Sequence, residues 1–413
     1  MANTVAEISG GGAAEVPSFP MPRADGCPFD PPPELRRLQD QAPLSRVRLW
    51  DGSTPWLVTR FNDLRDLLAD PRVSADSRRA GFPHISESIR DTRDKTRTFL
   101  TMDGEEHSRI RRMVTGSFTA RRMEAMRPTI QKITDRLIDD MLAGPCPTDL
   151  VQTLALALPS IAISELLGVP YADHDFFQSN TAALTERGLA PEKMLEAQRR
   201  MVEYLEQLVG DKLLHPGDDM LSRLASEQVA TGAITRQELA SMGFLLLIAG
   251  HETTANMITL GTLALLEHPY QLAELRATED PKLVAGAVEE LLRYLHIVHS
   301  GRRRIALEDI DIAGQTIGAG EGIVLANDIG NRDPEFFPEP DRLDIHRDAR
   351  RHQAFGFGPH QCLGQPLARL ELQVVYGTLY RRIPTLRLAI GLDEVQFKRD
   401  GLIYGVYELP VEW

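Results

Sequence analysis

The sequence predicts a mainly α-helical protein with a minor β component late in the chain. Helical periodicity dominates from about Glu105 to Leu292. Short alternating runs with glycine turns are concentrated at 300–330, around Ile305, Leu307, Ile310, Ile312, Ile317, Ile323 and Leu325. The most apolar long segment, Glu238 to Glu267, would make a helix of about 45 Å, apolar on nearly every face and therefore buried.

The elements follow in order. Residues 1–20 are Gly/Ala-rich and read as a flexible tail, with 21–413 as one folded unit. Val47–Trp50 and Trp56–Val58 alternate around Asp51-Gly52 and predict a small hairpin. Asp63 to Ala69 has a helical pattern, whereas 74–100 is polar and reads as a long irregular loop. Breaks at Gly144-Pro145, Gly168-Val169-Pro170 and Pro216-Gly217 divide the helical region. Residues 331–361 are rich in Pro, Asp and aromatics with little periodicity. A last long helix is predicted from about Leu363 to Arg382, and short strands close the chain.

Composition narrows the function. The chain has 413 residues, 46 basic and 59 acidic, for a net charge of −13. That balance argues against nucleic acid and against an anionic membrane surface. Met242 to Leu266 is interrupted by His251, Glu252, Thr253, Thr254 and Asn256, which a lipid-facing helix would not tolerate. No secretory leader is legible, and a cytoplasmic protein is expected. Cys27, Cys146 and Cys362 are too few and too scattered for a disulfide framework or a zinc ribbon.

One of these thiols stands in an unusual setting, Phe355-Gly356-Phe357-Gly358-Pro359-His360-Gln361-Cys362-Leu363-Gly364. Two glycines permit a tight backbone, and Cys362 falls just ahead of a helix with Pro366 in its first turn. A helix N-terminus favours a thiolate, suited to a soft metal or to nucleophilic attack. A buried, inert cysteine is the plainer reading of such a residue taken alone. The stretch Phe355 to Arg369, with Gly356, Gly358, His360, Cys362, Gly364 and Ala368-Arg369, resembles the haem-binding loop of the cytochromes P450. The resemblance extends from Pro31 to Trp413 and is nearest to soluble actinomycete members. It implies the P450 fold: a helix-rich lobe and a small β-rich lobe, with haem between the long central helix and the cysteine loop. Cys362 would then be the axial iron ligand.

Other segments gain meaning from the resemblance. Ala249-Gly250-His251-Glu252-Thr253-Thr254 lies in the middle of the apolar helix. Burying Glu252 is costly unless it is paired, hydrated or used. Thr253 is four residues after Ala249, so its hydroxyl reaches that carbonyl and is expected to open a bulge. The run is similar to the family's acid–alcohol pair, in which Glu252 would relay protons and Thr253 would hold bound oxygen and its water. Glu290 and Arg293 are helix neighbours, on the far side from the stripe of Val284, Val288, Leu291 and Leu295. The resemblance makes them a structural lock beneath 331–361, with Arg342 or His346 as open candidates to complete it. It also assigns the haem propionates to His107, Arg111, His360 and Arg304, the last chosen over Arg302 and Arg303 by its distance to Glu308-Asp309. Ala249 and Gly358 would border the cofactor.

The implied activity is a haem-thiolate monooxygenase hydroxylating a hydrophobic small molecule, such as a macrolide or xenobiotic, in secondary metabolism. Haem b is the cofactor and dioxygen the co-substrate. No reductase domain is legible, so NAD(P)H acts only indirectly, through a ferredoxin reductase and a ferredoxin. Arg109, Arg112, Arg121, Arg122, Arg350 and Arg351 form a candidate basic docking patch. A monomer is expected. Substrate-lining candidates are Phe82, Ile85, residues near 176–195, Leu245, Ile248, Ala249, residues 296–299 including Ile297, and Ile403. Rival readings are epoxidation, multi-step oxidation or ring coupling by the same scaffold, and a haem sensor without turnover.

Overall fold

The computed structural model describes residues 16–24, 26–92, 98–173, 176, 179–180, 191–399 and 403–413. The expected central helix spans Arg236–Leu266 without interruption. Its start is fixed by a reciprocal cap. The Glu238 amide donates to Thr235 Oγ1 at 3.1 Å, and the Thr235 amide donates to Glu238 Oε2 at 2.7 Å. The helix packs against Pro191–Leu214, Ala157–Leu167 and Gln365–Arg382. Its mostly apolar surface is therefore covered by helices on several sides, and the largest core cluster forms around it.

The β component sits beside this core. A five-stranded sheet has the order Leu44–Arg46, Trp56–Val58, Gly322–Leu325, Arg302–Ala306, Val73–Ser74. Trp56–Val58 pairs in parallel with Ile323–Leu325, and the other neighbours are antiparallel. A second sheet joins Thr148–Asp149, Pro410–Glu412 and Arg387–Leu388.

Three local expectations need correction. The hairpin around Asp51-Gly52 is present, with Val47 N–H to Pro55 O at 3.1 Å and Leu49 N–H to Ser53 O at 2.9 Å, but its regular ladder lies further back than expected, pairing Leu44–Arg46 with Trp56–Val58. The 74–100 segment is not wholly irregular. It holds a short helix Glu87–Thr92, supported by an Arg90–Glu87 ion pair at 3.2 Å, and a turn at Phe99–Thr101; residues 93–97 lie outside the described residues. At the N-terminus, Ser18 bridges to Arg48 and Phe19 is buried, so packed chain begins before residue 21. Residues 1–15 of the expected tail lie outside the described residues.

Glu290 and Arg293 are both 0% exposed and joined by two hydrogen bonds of 2.7 and 2.8 Å. Arg293 Nη1 also donates to the carbonyls of Asn331 and Pro340. Glu290 Oε1 accepts from the Asp344 amide at 3.0 Å and from Arg347 at 3.2 Å. Arg347 thus completes the network. Arg342 instead pairs its side chain with Glu339, and His346 with Glu274.

A buried pair loses its balance when one charge is deleted, so Arg293→Ala should cost about 3–5 kcal/mol. Urea unfolding of the variant measures this, and a loss below about 1 kcal/mol would contradict the lock.

Candidate active site

The segment 331–361 enters the cysteine loop through two obligatory glycines. Gly356 and Gly358 have φ of 72° and 70°, and a Cβ at Gly358 would lie 2.3 Å from Leu68 O. The Cys362 amide donates to Phe355 O at 2.8 Å and closes the loop. The helix Gln365–Arg382 follows at once, and the nearby backbone N–H groups of Gly364 and Gln365 favour a negative charge on the Cys362 sulfur. Cys362 is deep in the protein, and its accessible surface faces an internal cavity of about 280 Å³. Burial pushes its thiol up, outweighing those amides and the nearby Arg302 and Arg111. The helix terminus therefore does not by itself give the thiolate expected from sequence; a bound metal ion has to displace the proton.

Across the cavity runs the central helix. Leu246, Ala249, Gly250, Thr253, Thr254 and Met257 border it, a single stripe at helical spacing. Thr253 Oγ1 donates to Ala249 O at 2.7 Å, as expected, yet the helix stays continuous and no bulge is present. Glu252 falls outside the stripe. Its carboxylate pairs with Lys398 Nζ at 3.3 Å, and its carbonyl accepts from Asn256 Nδ2 at 2.9 Å. The alcohol thus faces the cavity while the acid faces the C-terminal segment.

A second recess is bordered by three of the four predicted propionate partners, His107, Arg304 and His360, together with Asp103; Arg111 borders the main cavity instead, and His360 borders both. The His107 and His360 rings lie 4.2 Å apart. Burial, His360 and Arg111 push His107 down to about 4, and its Nε2 is buried without a partner. His360 Nε2 is 3.6 Å from Asp103, which also accepts from Ser74 Oγ and the Ala75 amide. His360 is thus already partnered within the protein. Arg111 donates to Gln361 O, and burial lowers Arg304 to about 10. Arg111, Arg302 and Arg304 have no carboxylate partner within ion-pair distance among the described residues.

Of the lining candidates, Ala249 and Ile297 border the main cavity. Leu245 and Ile248 do not; the helix turns Leu246 to the cavity in their place. Phe82 packs on the His84 ring, and neither it nor Ile85 borders the cavity. Ile403 packs against the main core without bordering the cavity, and most of 176–195 lies outside the described residues. Sequence reasoning missed Phe99, Ile163 and Glu371. Glu371 was detectable in principle as an isolated acid within the last helix, seven residues after Gly364.

A thiol on a rigid loop, an opposed hydroxyl, apolar walls and unneutralised cations suit a flat apolar cofactor with carboxylates at its edge. His107 Nε2, a buried nitrogen without a partner, fits that group. Comparison with known proteins agrees. GfsF of Streptomyces halstedii, described as a cytochrome P450, is 58% identical over 415 residues and 100% of both chains. The chain belongs to the cytochrome P450 family. The family model "Cytochrome P450" matches residues 192–383. The crystal structure of GfsF superposes with a TM-score of 0.93 at 59% identity, covering 96% of this P450 and 100% of that chain. A methyl hydroxylase of mycinamicin VIII from Micromonospora griseorubida, solved with mycinamicin VIII bound, gives 0.88 at 44% identity, covering 96% and 100%. Pentalenic acid synthase of Streptomyces avermitilis is 50% identical over 396 residues, 96% of this chain and 97% of its own. As a P450 the chain is a haem-dependent monooxygenase that uses dioxygen and electrons from partner proteins.

Glu371 is fully buried, and burial raises its carboxyl to about 8 despite the opposing influence of the Thr254 hydroxyl. Between the unfolded acid's ordinary range and pH 8, the folded protein retains a proton that the unfolded chain loses. Stability therefore falls as pH rises across that window. Glu371→Gln should unfold at higher denaturant than the parent at pH 7–8 and lose that advantage near pH 4. Chemical unfolding at several pH values reads the difference; a pH-independent gap would refute it.

Proposed function

We propose that this P450 hydroxylates a bulky hydrophobic small molecule, macrolide-like or xenobiotic, with electrons from a ferredoxin and its NAD(P)H-dependent reductase. The observation that carries the reading is the Thr253 hydroxyl bordering the same apolar-walled cavity as Cys362. The relatives support the substrate class: one is named for hydroxylating mycinamicin VIII, another as a vitamin D3 dihydroxylase of Streptomyces griseolus.

Haem bound between these residues supplies the iron that activates dioxygen and inserts one oxygen atom into a C–H bond. Cys362 is the residue placed to ligate it, and the amides of Gly364 and Gln365 temper the charge on its sulfur. His107, Arg111 and Arg304 would take the propionates, with His360 backed by Asp103 beside them. Thr253 positions a proton donor at the cavity wall. Glu252, half-buried and tied to Lys398 on the neighbouring face of the helix, would be the acid that resupplies protons to Thr253. Leu246, Ile163, Ile297 and Val298 exclude bulk water from that face.

Arg109, Arg112, Arg121 and Arg122 are exposed, and with Arg350 and Arg351 would receive an acidic ferredoxin. Arg350 is already paired with Asp348 and Arg351 rests on Phe336, so the first four carry most of the free charge. Among the described residues no helix is long and apolar enough to cross a membrane.

Turnover with a surrogate ferredoxin system, read by mass spectrometry, tests the activity: a product heavier by one oxygen atom is expected. Thr253→Ala should cut product on the order of a hundredfold, the low end of the usual range for a lost proton-transfer group, and raise peroxide release; unchanged coupling would remove Thr253 from the relay. Cys362→His should abolish the red-shifted carbon-monoxide Soret band, and its persistence would overturn the ligand assignment.

A further inference from the structure

Side chains alternate along the strand Arg302–Ala306, so Arg302 and Arg304 share a face and Arg303 points the other way. Arg304 borders the recess with His107, whereas Arg302, about 7 Å along the strand at ~3.3 Å per residue, borders the main cavity with Cys362. Arg302 Nη2 donates to Ala354 O at 3.0 Å, and Nε is buried without a partner. The one carboxyl bordering the cavity among the described residues is Glu371, which burial keeps protonated. The nearby Cys362 sulfur is the residue placed on the iron; apart from it no protein anion among the described residues faces Arg302, and a desolvated guanidinium without a counter-charge is costly.

Its neighbour His296 presents a second unused donor. Asn331 Oδ1 accepts the Gln353 amide at 2.8 Å, which fixes the amide orientation and turns Nδ2 toward His296 Nδ1 at 3.3 Å. That ring nitrogen is therefore an acceptor. Burial and Arg302 keep the imidazole neutral, so its proton rests on Nε2, which is buried and has no partner. The adjoining wall, Ile297 and Val298, is apolar.

We propose that Arg302, with His296 behind it, forms a carboxylate-binding corner of the cavity, separate from the recess at His107 and Arg304. The proposal rests on the haem-thiolate reading above. The carboxylate comes either from the edge of the cofactor or from an acidic hydrophobic substrate, and two measurements distinguish the sources. One is the rate of haem transfer from the loaded protein to excess apomyoglobin. The other is Soret-shift titration with dodecanoic acid against methyl dodecanoate. In Arg302→Gln, haem release about tenfold faster would place the cofactor's carboxylate at Arg302. A fall of about tenfold in the acid-to-ester affinity ratio would place a substrate's there. Arg302→Lys keeps the charge and should recover most of whichever property is lost. Parental haem release and an unchanged ratio in Arg302→Gln would overturn the proposal, as would a lysine variant no better than glutamine. A parent protein lacking the thiolate carbon-monoxide band would instead sink the function reading, and the haem-release comparison would still report on Arg302.

Discussion

The fully desolvated ion pair between Glu290 and Arg293 is the interaction on which the rest of the site depends. Neither charge is stable in that position alone, so both must be satisfied by chain that arrives later: Asn331, Pro340, Arg342, Asp344 and Arg347. Most of those contacts are to backbone carbonyls and amides, which is how a segment with no periodicity acquires one conformation. Gln353 extends the arrangement, its amide donating to Asn331 Oδ1 and its side chain to Phe61 O. Two residues beyond, Phe355 O receives the Cys362 amide. The position of the sulfur is thus referenced, through backbone hydrogen bonds, to a pair of charges on another helix.

The site divides electrically along the same lines. Its floor holds a thiol that burial keeps protonated and a glutamic acid that burial keeps neutral. Its rim holds arginines whose positive charge burial opposes without removing. Anionic groups are scarce, and Asp103 is occupied by His360, Ser74 and Ala75. The protein alone is left with surplus positive charge at the cavity edge, the complement of a dianionic macrocycle.

What was legible in the sequence was what is local. The apolar run from Glu238 and the glycines around Cys362 are each decided within a few residues, and each is found as read; the reciprocal cap of Thr235 and Glu238 is equally local but went unread. Thr253 to Ala249 is a four-residue relation and also holds. What escaped were partners distant in sequence: Lys398 for Glu252, Asp103 for His360, Arg347 for Glu290. The rotation of the central helix escaped as well, because a helix apolar on every face gives no stripe to mark Leu246 over Leu245 or Ile248. The thiol's protonation was misjudged because desolvation depends on everything packed around the loop, and a motif carries no record of that.

The parallel pairing of Trp56–Val58 with Ile323–Leu325 joins segments 267 residues apart. At typical elongation rates of about 5–20 residues per second, the second strand follows the first by roughly 15–50 s. Throughout that interval Trp56–Val58 has its hairpin partner on one side and an open hydrogen-bonding edge on the other. In a growing chain this edge, rather than the helical core, is the surface most in need of protection from pairing with another molecule.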